Sequence, residues 1–251
     1  MSLESDLERA RALDVVDLAD AIESIGFECT RCGGCCTATE PAVDPEEADD
    51  ADNDASPPDD DTDSDAASSA GREPHTATIF PDEIRDLQQA GDYDFRDVAR
   101  PMPYGLSETD EGLDGETFEW ALQTDACGDC TFYEEAEDEN GASVGACTVH
   151  EDRPLICQTY PFSVALDNTV QPMGEAVDEA GIVRAHECEG LGRDISREDA
   201  EALAATLKER AIRELEEAIA VSEQYEPVDR ESGTVVVHDS EGAKRIDGTD
   251  F

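Results

Sequence analysis

Four cysteines fall within eight residues in Cys29-Thr-Arg-Cys32-Gly-Gly-Cys35-Cys36. Thiolates are soft donors that suit zinc, iron or an iron–sulfur cluster. Gly33 and Gly34 carry no side chain, so the backbone can turn back on itself and bring several sulfurs to one point. The spacing C-x2-C-x2-C can supply three corners of a cubane cluster with a remote fourth ligand, and it can equally feed tetrahedral zinc. Adjacent side chains diverge in extended backbone. Cys35 and Cys36 are therefore expected to serve separate sites, or one polynuclear centre. Five further cysteines follow at Cys127, Cys130, Cys147, Cys157 and Cys188, nine in all.

Other chemistry is less well supported. The C-x3-C-x2-C spacing of radical S-adenosylmethionine enzymes is absent, as is the ferredoxin ending C-x3-C-P. A thiol–disulfide role for Cys29-x-x-Cys32 or Cys127-x-x-Cys130 would want a βαβ unit around the pair, and none is legible. His150 and His186 lie beside cysteines, where each could ligate zinc or orient a ligand. His75 and His238 lie at expected flexible edges and read as incidental. Carboxylates are too abundant for any pair to signify an acid–base site, and no catalytic residue is assigned.

The 251 residues suffice for one domain with tails. Asp and Glu number 65 against 17 Lys and Arg, a net charge of −48, and Lys208 and Lys244 are the sole lysines. Such charge destabilises a compact chain by self-repulsion unless salt screens it. The acid also saturates the expected folded parts, which reads as a halophilic, salt-adapted composition. It argues against nucleic acid and anionic membrane as partners, since both need a basic footprint; a protein partner stays open. No targeting segment and no run of about 18 apolar residues is present, so a cytoplasmic location is expected. In that reducing setting, nine cysteines are better read as metal ligands than as disulfides.

The elements that must position the cysteines follow from periodicity and caps. Residues 1–26 read as an N-terminal helical segment, with Leu18, Ile22 and Ile25 on the second helix's inner stripe, expected to pack on the cysteine core. Residues 27–192 read as the cysteine domain, with an acidic insert at 41–73 too poor in apolar residues to fold and so expected to be disordered. Its Asp59–Asp65 cluster lacks the glycine and closing glutamate of a calcium loop. Thr76–Phe80 reads as β-like, Pro81 as the first residue of a helix, 92–115 as irregular, and Thr117–Leu122 as one strand with Trp120 in the core. Tyr133 and Cys147 flank an expected hairpin turning at Asn140-Gly141, and a strand near Ser163–Leu166 is expected to turn at Asp167-Asn168. Residues 193–227 hold the C-terminal helix, started by Ser196 and Asp199 and striped by Leu203, Leu207, Ala211, Leu215 and Ile219. Residues 228–251 are a tail with a small hairpin. The class is α+β: a small cysteine-ligated metal domain of short strands, packed by N- and C-terminal helices.

Four blocks together resemble a known family. They are Phe27-x-Cys29-x-x-Cys32-x-x-Cys35-Cys36; Gly128-x-Cys130-x-Phe132; Cys147-x-Val149-His150-x-x-Arg153-Pro154-x-x-Cys157-x-x-Tyr160-Pro161-Phe162; and Cys188-x-Gly190. They look like the CxxCxxCC cysteine-cluster family, the YkgJ-type zinc- or iron-chelating domain, over residues 27–192. The resemblance implies zinc or an iron–sulfur cluster held by Cys29, Cys32, Cys35, Cys36, Cys130, Cys147, Cys157 and Cys188. Cys127 falls outside the pattern, and the acidic insert departs from it. A related cysteine region in flagellin lysine N-methylases makes a redox or protein-modifying enzyme the alternative to a metal-binding module.

Overall fold

The computed structural model describes residues 2–39, 72–110, 112–137, 143–166, 176–178 and 181–251. Helices α1 (Leu3–Ala12) and α2 (Val15–Ile25) open the chain. Ser2 and Asp14 cap them by accepting from Ser5 N at 3.4 Å and Val16 N at 2.8 Å, and Gly26 ends α2. The other helices are α3 (Pro81–Ala90), α4 (Phe95–Val98), α5 (Leu155–Thr159) and the long α6 (Arg197–Gln224). Pro81 takes the first position of α3, where its missing N–H costs nothing. The Ser196 hydroxyl accepts from Asp199 N at 3.1 Å and starts α6.

Among the described residues, twelve short strands build four sheets. β1 (Thr78–Ile79), β5 (Trp120–Leu122) and β2 (Ala99–Pro101) form one in that order. β12 (Gly242–Lys244), β11 (Val235–Asp239), β4 (Gly112–Thr117) and β3 (Leu106–Thr109) form the second. β8 (Phe162–Val164), β10 (Val183–His186) and β9 (Ala176–Asp178) form the third, and β6 (Tyr133–Glu137) with β7 (Ser143–Cys147) the fourth. This mixture of helices and small sheets is α+β, with helices near both ends of the cysteine region.

Two apolar clusters organise these elements. The first joins α1, α2 and α6 to β8 and β10 through Leu7, Leu18, Ile22, Phe162, Val183, Leu207 and Leu215. The second joins α3, β1, β5 and β11 to Phe132, Val149 and Ile156, beside the cysteines. The N-terminal helices thus pack on α6 rather than on the cysteine core, because the long apolar stripe of α6 offers them a continuous partner.

Three other expectations change. Within the span expected to be irregular, the described residues 92–110 and 112–115 form α4, β2, β3 and part of β4, where alternation is too short to register in sequence. The expected strand across Thr117–Leu122 is two strands: β4 pairs with β3 and β11, the chain turns at Phe118, and β5 pairs with β1 and β2. Thr117 and Trp120 are both buried, so one alternating pattern serves two sheets. The tail hairpin forms, but β11 also runs parallel to β4, and Val235, Val236 and Val237 are core residues. Trp120 links the two sheets by donating its indole N–H to Asp239 at 2.9 Å.

The acidic insert falls almost wholly outside the described residues, as do the turns expected at Asn140-Gly141 and Asp167-Asn168. The insert's last two positions, however, are held. Thr39 and Glu73 exchange backbone hydrogen bonds of 2.9 and 2.8 Å, and the Arg72 guanidinium bonds the Ala38 carbonyl at 2.5 Å. Among the described residues no helix is long and apolar enough to cross a membrane.

With a net charge of −48, self-repulsion opposes this fold at low ionic strength. Raising NaCl from about 0.1 M to about 1 M shortens the Debye length from roughly 10 Å to roughly 3 Å. The thermal unfolding midpoint is expected to rise across that range. A midpoint that stays flat in differential scanning fluorimetry would show that self-repulsion does not limit stability.

Candidate metal centre

The Cys29–Cys36 segment is a loop pinned at both ends. At its start, Phe27 bridges Leu191, and Glu28 N–H donates to the Gly190 carbonyl at 3.0 Å, which lays Cys29 beside the Cys188 segment. A Cβ on Gly190 would stand 2.3 Å from the Glu28 carbonyl oxygen, so this crossing requires glycine. At its end, Cys130 N–H donates to the Cys36 carbonyl at 2.8 Å. Between them, Gly145 N–H donates to the Arg31 carbonyl at 2.8 Å, which ties the loop to β7.

Gly33 has φ +80°, and a Cβ there would lie 2.1 Å from the Tyr133 hydroxyl oxygen. The loop then turns tightly, with Cys36 N–H donating to the Gly33 carbonyl at 2.8 Å. The expectation that Cys35 and Cys36 diverge assumed extended backbone. In this turn their sulfurs come within 3.7 Å. Two thiolates about 2.3 Å from one tetrahedral ion stand roughly 3.8 Å apart, so the pair is spaced as sulfurs round a metal would be.

Cys130 precedes β6, Cys147 closes β7 opposite Tyr133, Cys157 lies on α5, and Cys188 follows β10. Helix α5 is fixed at both ends. Glu83 of α3 accepts from Leu155 N at 2.8 Å and from Phe80 N at 3.0 Å, so one carboxylate satisfies the start of α5 and the start of α3. Arg210 of α6, 1% exposed, donates to Thr159 Oγ1 at 2.9 Å and the Phe162 carbonyl at 3.1 Å where α5 ends, and to Glu214 at 2.7 Å. Tyr160 hydrogen-bonds the Glu187 carbonyl, tethering α5 to the residue before Cys188.

All nine cysteines are free thiols. Cys35 is the common electrostatic neighbour of Cys36, Cys130, Cys147, Cys157 and Cys188. Its thiol is pushed up by the hydrogen bond with Cys36 and then by burial. Burial pushes Cys130 up to about 11 and raises Cys147, Cys157 and Cys188. These groups are therefore neutral thiols at neutral pH in the metal-free chain, which makes Cys130 a poor disulfide-exchange nucleophile. Arg153 is the cation that opposes this trend at Cys35 and Cys147, and its Nε–H donates to the His150 carbonyl at 2.9 Å. Cys127 stands apart: it is exposed, and its N–H donates to Asp125 at 2.8 Å.

The histidines fall out differently from expectation. His186 is buried and within 2.9 Å of Ser163 Oγ, a core group. His150 is half-exposed beside Glu151. His75 is not at a loose edge: its N–H donates to Gly128, Arg100 donates to its carbonyl at 2.7 Å, and its ring lies against the Cys35 backbone. Burial depresses its pKa to about 4, so the ring is neutral. His238 is buried on β11, 3.2 Å from Glu116 and stacked on Phe118.

The donor set fits zinc or iron. It comprises free sulfur donors from separate segments that share Cys35 as a neighbour. Among the described residues no three His, Cys, Asp or Glu side chains already meet at one ligating point. Binding an ion would also displace thiol protons, which couples affinity to pH and to local folding.

A family model for the CxxCxxCC domain, described as a "putative zinc- or iron-chelating domain", matches residues 28–189. This chain belongs to that family. The matched span covers well over half of the 251 residues, and zinc or iron chelation is the chemistry the family's description gives. No curated protein and no solved structure shows significant similarity to the chain.

Sequence reasoning missed Glu83 and Arg210. Arg210 lies three residues after Leu207, on the apolar stripe of α6, and a charge on such a stripe is the signal that was available. Glu83 looks like an ordinary cap of its own helix, and its second bond spans 72 residues. Replacing Glu83 with Ala leaves two amide N–H groups unpaired and is expected to cost about 1–3 kcal/mol in denaturant unfolding, while Glu83→Gln keeps an acceptor and costs less. Burial raises the Glu83 carboxyl above 4.5, so the folded state holds its proton more tightly than the unfolded chain. Its contribution is full below the unfolded pKa and is lost as pH rises through the folded one. Glu83→Gln is therefore expected to flatten the fall in stability above pH 4.5; an unchanged slope would place the coupling elsewhere.

Proposed function

We propose that this chain is a cytoplasmic, salt-adapted metal-binding protein in which Cys29, Cys32, Cys35, Cys36, Cys130, Cys147, Cys157 and Cys188 hold zinc or an iron–sulfur cluster. The observation that carries this is that Cys36, Cys130, Cys147, Cys157 and Cys188, from five separate stretches of chain, share Cys35 as a neighbour. A chain this acidic, with much of its secondary structure in short elements, gains stability from such a cross-link. The group, when bound, would supply either a rigid tether or an electron-accepting centre. The chain's own residues turn the loop (Gly33), seat the helix of Cys157 (Glu83, Arg210) and offset thiolate charge (Arg153). In the same proposal, residues 27–192 form the metal domain, flanked by helical segments at 1–26 and 193–227, and the 228–251 tail completes the sheet of β4.

A second reading, a redox or protein-modifying enzyme built on an iron–sulfur centre, draws on one feature. A cavity of about 350 Å³ lies beside Cys29, lined in part by Phe27, Glu28, Asp194 and Leu203. Substrate could approach the cysteines there.

Anaerobic purification in high salt, followed by metal analysis and an absorption spectrum, tests both readings. Stoichiometric zinc in a colourless protein supports the metal-tethered module. Brown protein with stoichiometric iron and broad absorbance supports the iron–sulfur form and raises the enzyme reading. Protein carrying neither metal overturns the proposal.

A further inference from the structure

We infer that Cys35 and Cys36 form a two-thiol site that takes a monosubstituted trivalent arsenical, an organic group on an arsenic that carries two hydroxyls, with both sulfurs bound to the one arsenic. The inference stands on the geometry of this pair and does not require the metal-binding function proposed above.

Spacing comes first. The two sulfurs stand 3.7 Å apart, and theirs is the one sulfur–sulfur hydrogen bond among the described residues. Both are free thiols. An arsenic–thiolate bond is about as long as the zinc–sulfur bond of roughly 2.3 Å. One arsenic atom therefore reaches both sulfurs with little movement of either. Zinc asks for four donors, whereas an arsenic that keeps one organic group and its lone pair is satisfied by two thiolates. Among the described residues no three His, Cys, Asp or Glu side chains form a group that could hold a metal, so two thiols are what the loop already brings together.

The backbone holds this pair in place. Cys36 N–H donates to the Gly33 carbonyl at 2.8 Å, and the Cys36 carbonyl accepts from Cys130 N–H at 2.8 Å. Neither bond uses a sulfur, so both sulfurs stay available. Donors fixed beforehand lose little freedom on binding, and after one arsenic–sulfur bond forms the second thiol attacks from beside it. The pair is also accessible. Cys35 is exposed and Cys36 half-buried. A Cβ on Gly34 would meet only Cys32 Sγ within 4 Å, at 3.7 Å, so the loop leaves room beside the pair for the organic group.

Each thiol replaces one hydroxyl on arsenic. Two arsenic–sulfur bonds form, two arsenic–oxygen bonds break, and each thiol proton leaves with a hydroxyl as water. Arsenic stays trivalent, so the step needs no oxidant or reductant.

The probe is phenylarsine oxide, which hydrates to such a species. One equivalent is added to the full chain in high salt, after dialysis against EDTA without oxygen. The protein is washed with excess glutathione, and peptide mass spectrometry locates the phenylarsenic group. One group per chain, bridging Cys35 and Cys36, is the expected result. It should persist in glutathione, a monothiol, and leave on addition of the dithiol dimercaprol. Cys35→Ser and Cys36→Ser are each expected to lose the glutathione-resistant adduct, and Cys127→Ser to keep it. Binding of the first equivalent to another pair, an adduct that glutathione strips, no adduct at all, or a Cys35→Ser chain that still holds it overturns the site. The map of the unsubstituted chain decides this even where a variant fails to fold. Zinc and iron are measured on the same protein before dialysis, so failure of the metal-binding reading registers there and failure of the arsenical site in the peptide map.

Discussion

Crowding sulfur donors round Cys35 is the constraint on which the rest of the structure depends. Ionised together, they would add negative charge to a chain that already carries −48. The fold avoids this by keeping several of the thiols neutral: burial holds Cys130, Cys147 and Cys157 above their ordinary pKa, and Cys36 does the same for Cys35 through a hydrogen bond. A bound cation reverses that preference, since metal ligation favours the thiolate. A metal held by this loop, as proposed above, would be its counter-charge, with Arg153 as a fixed partial substitute.

The scaffold answers a mechanical demand set by that cluster. Thiols drawn from distant segments stay together only if those segments are held at fixed distances. Helix α6 supplies one wall, packing α1 and α2 on one side and sending Arg210 inward to the end of α5. Helix α3 supplies the other, through Glu83 at the start of α5. A half-buried carboxylate and a buried guanidinium are costly to desolvate, and each here has hydrogen bonds that fasten two elements at once. The site is thus bounded by two apolar clusters, with the cysteine loop running between them.

The acidic surface makes a separate demand. Several of its arginines are engaged in ion pairs, among them Arg197 with Asp20, Glu23 and Glu201, and Arg230 with Asp114. These pairs are exposed or partly exposed and each contributes little alone. They do, however, link α6 to α2 and the tail to β4, two places among the described residues where sequence-distant elements meet.

Local chemistry was legible in the residues themselves. Cysteine spacing with glycines marked a metal loop, Ser196 and Asp199 marked the start of α6, and Pro81 marked that of α3, because caps and turns depend on side chains only a few positions apart. Four short blocks were enough to identify the family. What the sequence could not disclose depends on contacts between distant residues. The convergence of Cys35 and Cys36 needed the turn at Gly33, the split at Phe118 needed two competing sheets, and the places of His75, Glu83 and Arg210 needed partners tens of residues away. Spacing along the chain determined which atoms this protein can offer a metal; the tertiary structure decided which of them stand together, because proximity across a fold is set by long-range packing that no local pattern encodes.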